Sequence, residues 1–253
     1  MVFSKVFFKA CMGGGFVISE IVFSRGYHSF WNKTFPFLPR VSRKLNLEKV
    51  YYEDYAVLDS SPDRRALLNE FAFRIFEACV RLGVSSPKGI PLELQVEIES
   101  KAVEYIKSLS GGRLGSSKIT PCELDESFIL CRRMFDFYNY NEPGCLPNIS
   151  PFFMGCGVLN SCYGDVVCGK TLYEIKSGGR EFRSIDVKQV LIYGALSNFD
   201  EAFDIDTFGF LNPRLGIFSS VSVRDVVEIS SGLSVQDAFY EIVNFLDSPE
   251  SFQ

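Results

Sequence analysis

The stretch "GDVVCGKTLYEIKS", residues 164–177, puts fixed charges where strand-forming sequence should run apolar. Two short runs rich in β-formers are separated by Gly169-Lys170, which has the length and composition of a tight hairpin turn. Side chains alternate along a strand, so Glu174 and Lys176 point to one side and Ile175 to the opposite, buried side. Charges in the middle of a central strand are costly unless they are used. Asp165 opens the first run, and the hairpin brings it back toward the second.

Two carboxylates brought together repel, and a divalent cation of the Mg²⁺ type resolves the conflict by accepting carboxylate and carbonyl oxygens. A lysine beside such a cation can orient a water or help deprotonate it, and can offset charge on a phosphorane-like transition state. The chain carries its own control for this reading. Glu99-Ser100-Lys101 has the same Glu-x-Lys form, but it lies in a helical pattern with no upstream strand bearing an Asp, and reads as a solvated helix face. The second triplet differs in context, because Gln189 and Tyr193 follow at i and i+4 and share one face of the next helix.

"GD-x8-EIK" followed by "Q-x3-Y" resembles the PD-(D/E)xK nuclease superfamily, and the Gln-x3-Tyr helix is similar to that of its RecB-like and Cas4-like branch. The likeness covers residues 160–220. It implies a restriction-endonuclease-like core that hydrolyses nucleic acid with Mg²⁺ or Mn²⁺, DNA in preference to RNA. By position, Asp165 and Glu174 would be metal ligands with the Ile175 backbone carbonyl helping, and Lys176 would activate the water. Gln189 would orient the site from the helix, and Tyr193 would touch the nucleic-acid backbone or support Lys176. A helix acid often completes such a site, with Glu126 as the choice and Glu123 and Asp125 as alternatives. Cas4-like members place cysteines after the core for an iron–sulfur cluster. This chain has none beyond Cys168, so no cluster is expected. A looser likeness to bacterial nuclease-like proteins points to defence against phage. The rival readings are a nucleic-acid-binding or assembly subunit without catalysis, and a nuclease active only within a complex.

Around this motif the periodicity predicts helices from Ser61-Pro62 through Leu82, from Leu92 to Leu109, from Glu123 to Tyr138, after a Ser184 cap, and after a Ser234 cap. "TFGFLN" and "LGIFSSVSV" read as strands on either side of a Pro213-Arg214 turn. The layout is α/β, a mixed central sheet flanked by helices, preceded by a mainly helical N-terminal region. The Gly/Ser-rich run after Leu109 suggests a boundary, with an accessory region over 1–115 and the nuclease-like core over 116–253.

The net charge of −5 argues against a nucleic-acid partner until its distribution is considered. Residues 1–50 hold eight Lys/Arg against Glu20 and Glu48, a balance of +6 that leaves −11 for the rest. Tyr27, Phe30, Trp31, Phe35 and Phe37 interleave with these cations, an arrangement that could stack bases or dock a protein partner, or could pack the segment onto the body. Lys170, Arg180, Arg183 and Lys188 surround the motif with positive charge and, with Arg214, are the candidates for nucleic-acid contact. The eight cysteines form no CxxC pair and read as reduced thiols. No apolar run is long enough to span a membrane, and the N-terminal segment makes a poor signal peptide, so a cytoplasmic protein is expected.

Overall fold

The computed structural model describes residues 17–51, 58–109 and 118–248. In chain order its helices are α1 (Glu20–Arg25), α2 (His28–Thr34), α3 (Leu38–Leu47), α4 (Arg65–Leu82), α5 (Leu92–Leu109), α6 (Pro121–Asn141), α7 (Ser184–Asp200), α8 (Val223–Ser231) and α9 (Val235–Asp247). The strands are β1 (Val50–Tyr51), β2 (Asn148–Ile149), β3 (Phe152–Phe153), β4 (Cys162–Tyr163), β5 (Val166–Cys168), β6 (Thr171–Ile175), β7 (Thr207–Asn212) and β8 (Ile217–Ser222). Six of them form a mixed sheet in the order β1-β8-β7-β6-β5-β2, and β3 pairs with β4 separately. The β6–β7 pair is parallel and the other pairs are antiparallel. The chain is therefore α/β, with helices covering a mixed six-stranded sheet.

The expected hairpin is β5–β6. Val166 pairs with Tyr173 and Cys168 with Thr171, and the turn uses Gly169 at φ +57°, a conformation glycine adopts without steric cost. A parallel β6–β7 pair needs a crossover, and α7 supplies it. Strand alternation then sorts the side chains. Leu172, Phe208 and Phe210 enter a core with α1–α3, α7, α8 and α9, while Tyr173 and Leu211 enter a second core with α4–α6. Gly209 lies opposite Tyr173, whose ring would sit 2.2 Å from any Cβ there, so the strand pair packs only with glycine at this position.

The boundary placed near residue 115 falls outside the described residues. Chain on its two sides shares both cores. Phe23 and Val41 pack in one core with Val190 and Ile242, and Leu68 and Ile75 pack in the other with Leu130 and Leu211.

Several expectations change. The interleaved aromatics are not a stacking platform, since Phe30 and Phe35 are buried and Trp31 is 1 % exposed with Nε1 donating to Phe23 O at 2.9 Å. The turn at Gly26–Tyr27 between α1 and α2 brings Phe23 against Phe30 and Trp31, and Phe23 and Phe30 stack on Phe245 of α9. Phe37 stays exposed beneath Arg40. The thiols are not all reduced, because Cys145 and Cys168 form a disulfide. The helix read from Ser61-Pro62 starts at Arg65, after a turn. Among the described residues, no helix is long and apolar enough to cross a membrane.

Candidate active site

Asp165, Glu174 and Lys176 meet on the α7 side of the sheet. Asp165 precedes β5, and its Oδ2 accepts the Ile175 N–H at 2.6 Å, which locks the acid across the hairpin to the Glu-x-Lys strand. Glu174 is 2 % exposed and forms an ion pair with Lys176 Nζ. Burial pushes both carboxyls up, and Lys176 recovers only part of that cost. Glu174 also feels the Asp165 charge and rises to about 8. Burial pulls Lys176 down, but the charges of Glu174 and Asp165 outweigh it and hold the ammonium above its usual range. Two acids against one cation leave a surplus negative charge, or a held proton, inside the fold.

Helix α7 closes the site. Tyr193 is buried and stacked on Phe153 at 5.2 Å, and its hydroxyl is driven well up, by burial first and then by Glu174, Asp165 and Glu20. Tyr193 thus lies inside the fold, within electrostatic reach of Glu174 and Asp165. Gln189, one turn earlier on the same face, is nearly buried, and its side-chain amide makes no hydrogen bond among the described residues. Asp186 carries a bidentate pair with Arg180 at 2.7 and 2.8 Å and also accepts the Arg183 N–H.

The acid chosen to complete the site stands elsewhere. Glu126 accepts from Arg214 Nη1 at 2.7 Å and from the Ser60 hydroxyl and N–H. Burial pushes its carboxyl up, but Ser60 and Arg214 outweigh that and keep it below the usual range. Glu123 is committed to Arg64 at 2.6 Å and to the cap of α6, and falls to about 2. Asp125 is exposed. Glu20, at the first turn of α1, lies within electrostatic reach of Lys176 and Asp165. Burial raises its carboxyl, Lys176 lowers it and Asp165 raises it. Its sequence signal is thin: within residues 1–50 the only other acid is Glu48, which pairs with Lys44 four residues away. Glu70 on α4 and Tyr105 on α5 also lie within electrostatic reach of Asp165. Burial raises both first, and Arg74 pairs with Glu70 at 2.6 Å while lying over the Tyr105 ring.

The cationic candidates divide. Arg214 is 8 % exposed and wholly engaged inside the protein, so it does not face a substrate. Lys170 pairs with Asp204 at the hairpin turn, at the far end of β6 from Glu174 and Lys176. Lys188 lies over the Trp31 ring at 5.1 Å, and burial lowers its pKa. Arg180 belongs to Asp186, while Arg183 is exposed. In the control triplet, Glu99 accepts the Ile119 N–H and Lys101 pairs with Glu97 on the surface of α5.

No three acidic, histidine or cysteine side chains among the described residues stand close enough to hold one ion together. The donors still suit Mg²⁺ or Mn²⁺, because such a cation keeps several waters and needs only one or two carboxylates. The surplus charge on Asp165 and Glu174 is what a cation would neutralise. No family model matches the chain, and no curated protein matches it.

This electrostatics gives a test that does not depend on turnover. Glu174 is raised from 4.5 unfolded to about 8 folded, so folding takes up a proton between those values and stability falls as pH rises through the window. In EDTA the melting temperature is expected to drop across that range. Mg²⁺ or Mn²⁺ should restore it most at the alkaline end, each kcal/mol being worth roughly 2–4 °C. In Glu174→Gln the slope and the cation effect should both shrink. Equal slopes in the two proteins would remove Glu174 as the site of the held proton.

Proposed function

We propose that the protein is a metal-dependent nuclease of the PD-(D/E)xK type that hydrolyses phosphodiester bonds, with DNA as the substrate. The observation that carries this reading is the Asp165–Glu174–Lys176 cluster, a buried acid pair with one lysine and an unneutralised charge. Buried acids arranged against their own repulsion reduce stability, and such arrangements concentrate at functional sites. The antiparallel β5–β6 hairpin followed by the α7 crossover to parallel β7 supports a restriction-endonuclease-like core.

In this reading Asp165, Glu174 and the Ile175 carbonyl would hold Mg²⁺ or Mn²⁺, with Glu20 acting at longer range. When bound, the cation supplies Lewis-acid polarisation of the phosphoryl oxygens and eases deprotonation of the attacking water. Lys176, kept protonated by its neighbours, orients that water and offsets charge on the phosphorane-like transition state. Gln189 offers its unengaged amide for positioning, and Tyr193 packs against the cluster from behind.

The test incubates the protein with linear, circular and single-stranded DNA and with RNA, in Mg²⁺, Mn²⁺ or EDTA, beside Glu174→Ala. Cation-dependent cutting that is absent in the variant is the expected result. Cation-independent binding without cutting of any substrate would favour a subunit that keeps the fold without the chemistry.

A further inference from the structure

Residues 177–181, "SGGRE", follow Lys176 directly, and the carbonyls of Ser177, Gly178 and Arg180 are held by side chains from β7, the turn after it and α4. Ser177 O accepts from Asn69 Nδ2 at 2.9 Å and from Arg214 Nε at 2.7 Å. Gly178 O and Arg180 O both accept from Asn212 Nδ2 at 2.9 Å, and Glu181 O accepts from Arg180 Nη1. The amides behave in the opposite way. None of the five N–H groups of residues 177–181 donates a hydrogen bond among the described residues, whereas Lys176 N–H before them donates to Leu211 O and Phe182 N–H after them to Asn46 Oδ1. Of the framing side chains Asn212 and Arg214 are buried, while Gly179 and Glu181 lie at the surface.

Arg65 completes the arrangement from α4. Its Nε donates to Ser60 O, and its Nη1 lies 2.9 Å from where a Gly179 Cβ would be. It has no acidic partner among the described residues. Glu181, the one acid of the loop, pairs with Lys49 at 2.8 Å, and Arg180 is neutralised by Asp186. Unbonded amides and a guanidinium at one loop offer an anion several charge-assisted donors, and the missing Cβ atoms of Gly178 and Gly179 permit close approach. Arginine suits phosphate in particular, through paired N–H bonds.

We propose that residues 177–181 and Arg65 form a phosphate-binding subsite, which holds the phosphodiester neighbouring the one cut at Asp165, Glu174 and Lys176. The nucleic-acid identity of the ligand rests on the nuclease reading; the anion chemistry does not. Gly179 lies three residues beyond Lys176, so the subsite adjoins the triad in the chain.

The experiment follows backbone amide resonances of the full chain in EDTA, so that nothing is cut, during titration first with inorganic phosphate and then with a short single-stranded DNA. Both should shift the amides of 177–181. Arg65→Met should weaken oligonucleotide affinity roughly tenfold or more and reduce its salt dependence by about one phosphate contact. Gly179→Ala, which crowds Arg65 with a methyl group, should weaken binding in the same direction, and melting curves show whether either variant is folded. Shifts and Arg65 dependence in a protein that cuts nothing under any cation would uphold the subsite and overturn the nuclease. Silent amides, with cutting at unchanged KM in Arg65→Met, would overturn the subsite and leave the nuclease standing. A response to inorganic phosphate without one to the oligonucleotide would overturn the nucleic-acid assignment.

Discussion

Lys176→Met is expected to lower cation-dependent cleavage by about 10²–10³-fold while the protein still folds and still binds nucleic acid. Methionine keeps the length and apolar stem of the side chain but removes the ammonium that pairs with Glu174 and lies in the field of Asp165. The loss should fall on kcat, because the charge being offset develops in the transition state. The variant should also hold its proton on Glu174 to higher pH, since the cation that lowered that carboxyl is gone. Lys101→Met is the matched control, because Lys101 sits in the same Glu-x-Lys spacing on exposed α5 and pairs only with Glu97. Cutting by Lys176→Met at the wild-type rate would take Lys176 out of the chemistry.

Arg214→Ala is expected to destabilise the fold by about 3–5 kcal/mol, as removal of one partner from a buried pair does. Arg214 binds Glu126 at 2.7 Å and also reaches Asn69 and Ser177 O, so its loss strands a buried carboxylate and releases the segment behind Lys176. Glu126 lies below its usual range, so the stability it contributes is present above 4.5 and fades as the solution is acidified through its folded value. Arg214→Ala should lose that acid sensitivity, and Glu126→Gln placed on top of it should recover part of the loss. A change in denaturation midpoint worth less than about 1 kcal/mol would show the pair to be dispensable.

Much of the frame was legible because its signals are local. Gly169-Lys170 set the β5–β6 hairpin, the apolar repeat over Leu92–Leu109 marked α5, and Ser234 caps α9 as its Ser-x-x-Asp pattern implies. The proximity of Asp165 to Glu174 and Lys176 followed from turn geometry and strand alternation. What stayed hidden depends on distant pairing. Nothing near Glu126 announces that Arg214 and Ser60 will take its carboxylate, and nothing near Glu20 announces that α1 will lean on α7 beside Asp165. The basic aromatic segment misled because composition does not say which way a ring points. Phe23 on α1 and Phe30 and Trp31 on α2 all turn inward. Cys145 and Cys168 carry no spacing signal, and they meet because β2 and β5 are sheet neighbours.

The stacking of Phe23 and Phe30 on Phe245 joins the two ends of the described chain and so bears on the order of assembly. Contacts of such long sequence separation form slowly, because the entropy of closing the chain must be met before they stabilise anything. Helix α1 gains Phe245 as a neighbour only once α9 has been synthesised and docked. A growing polypeptide that already holds Asp165, Glu174 and Lys176 in their hairpin still lacks the contact between α1 and α9. The closing of the described chain's two ends upon each other is thus a late step of assembly.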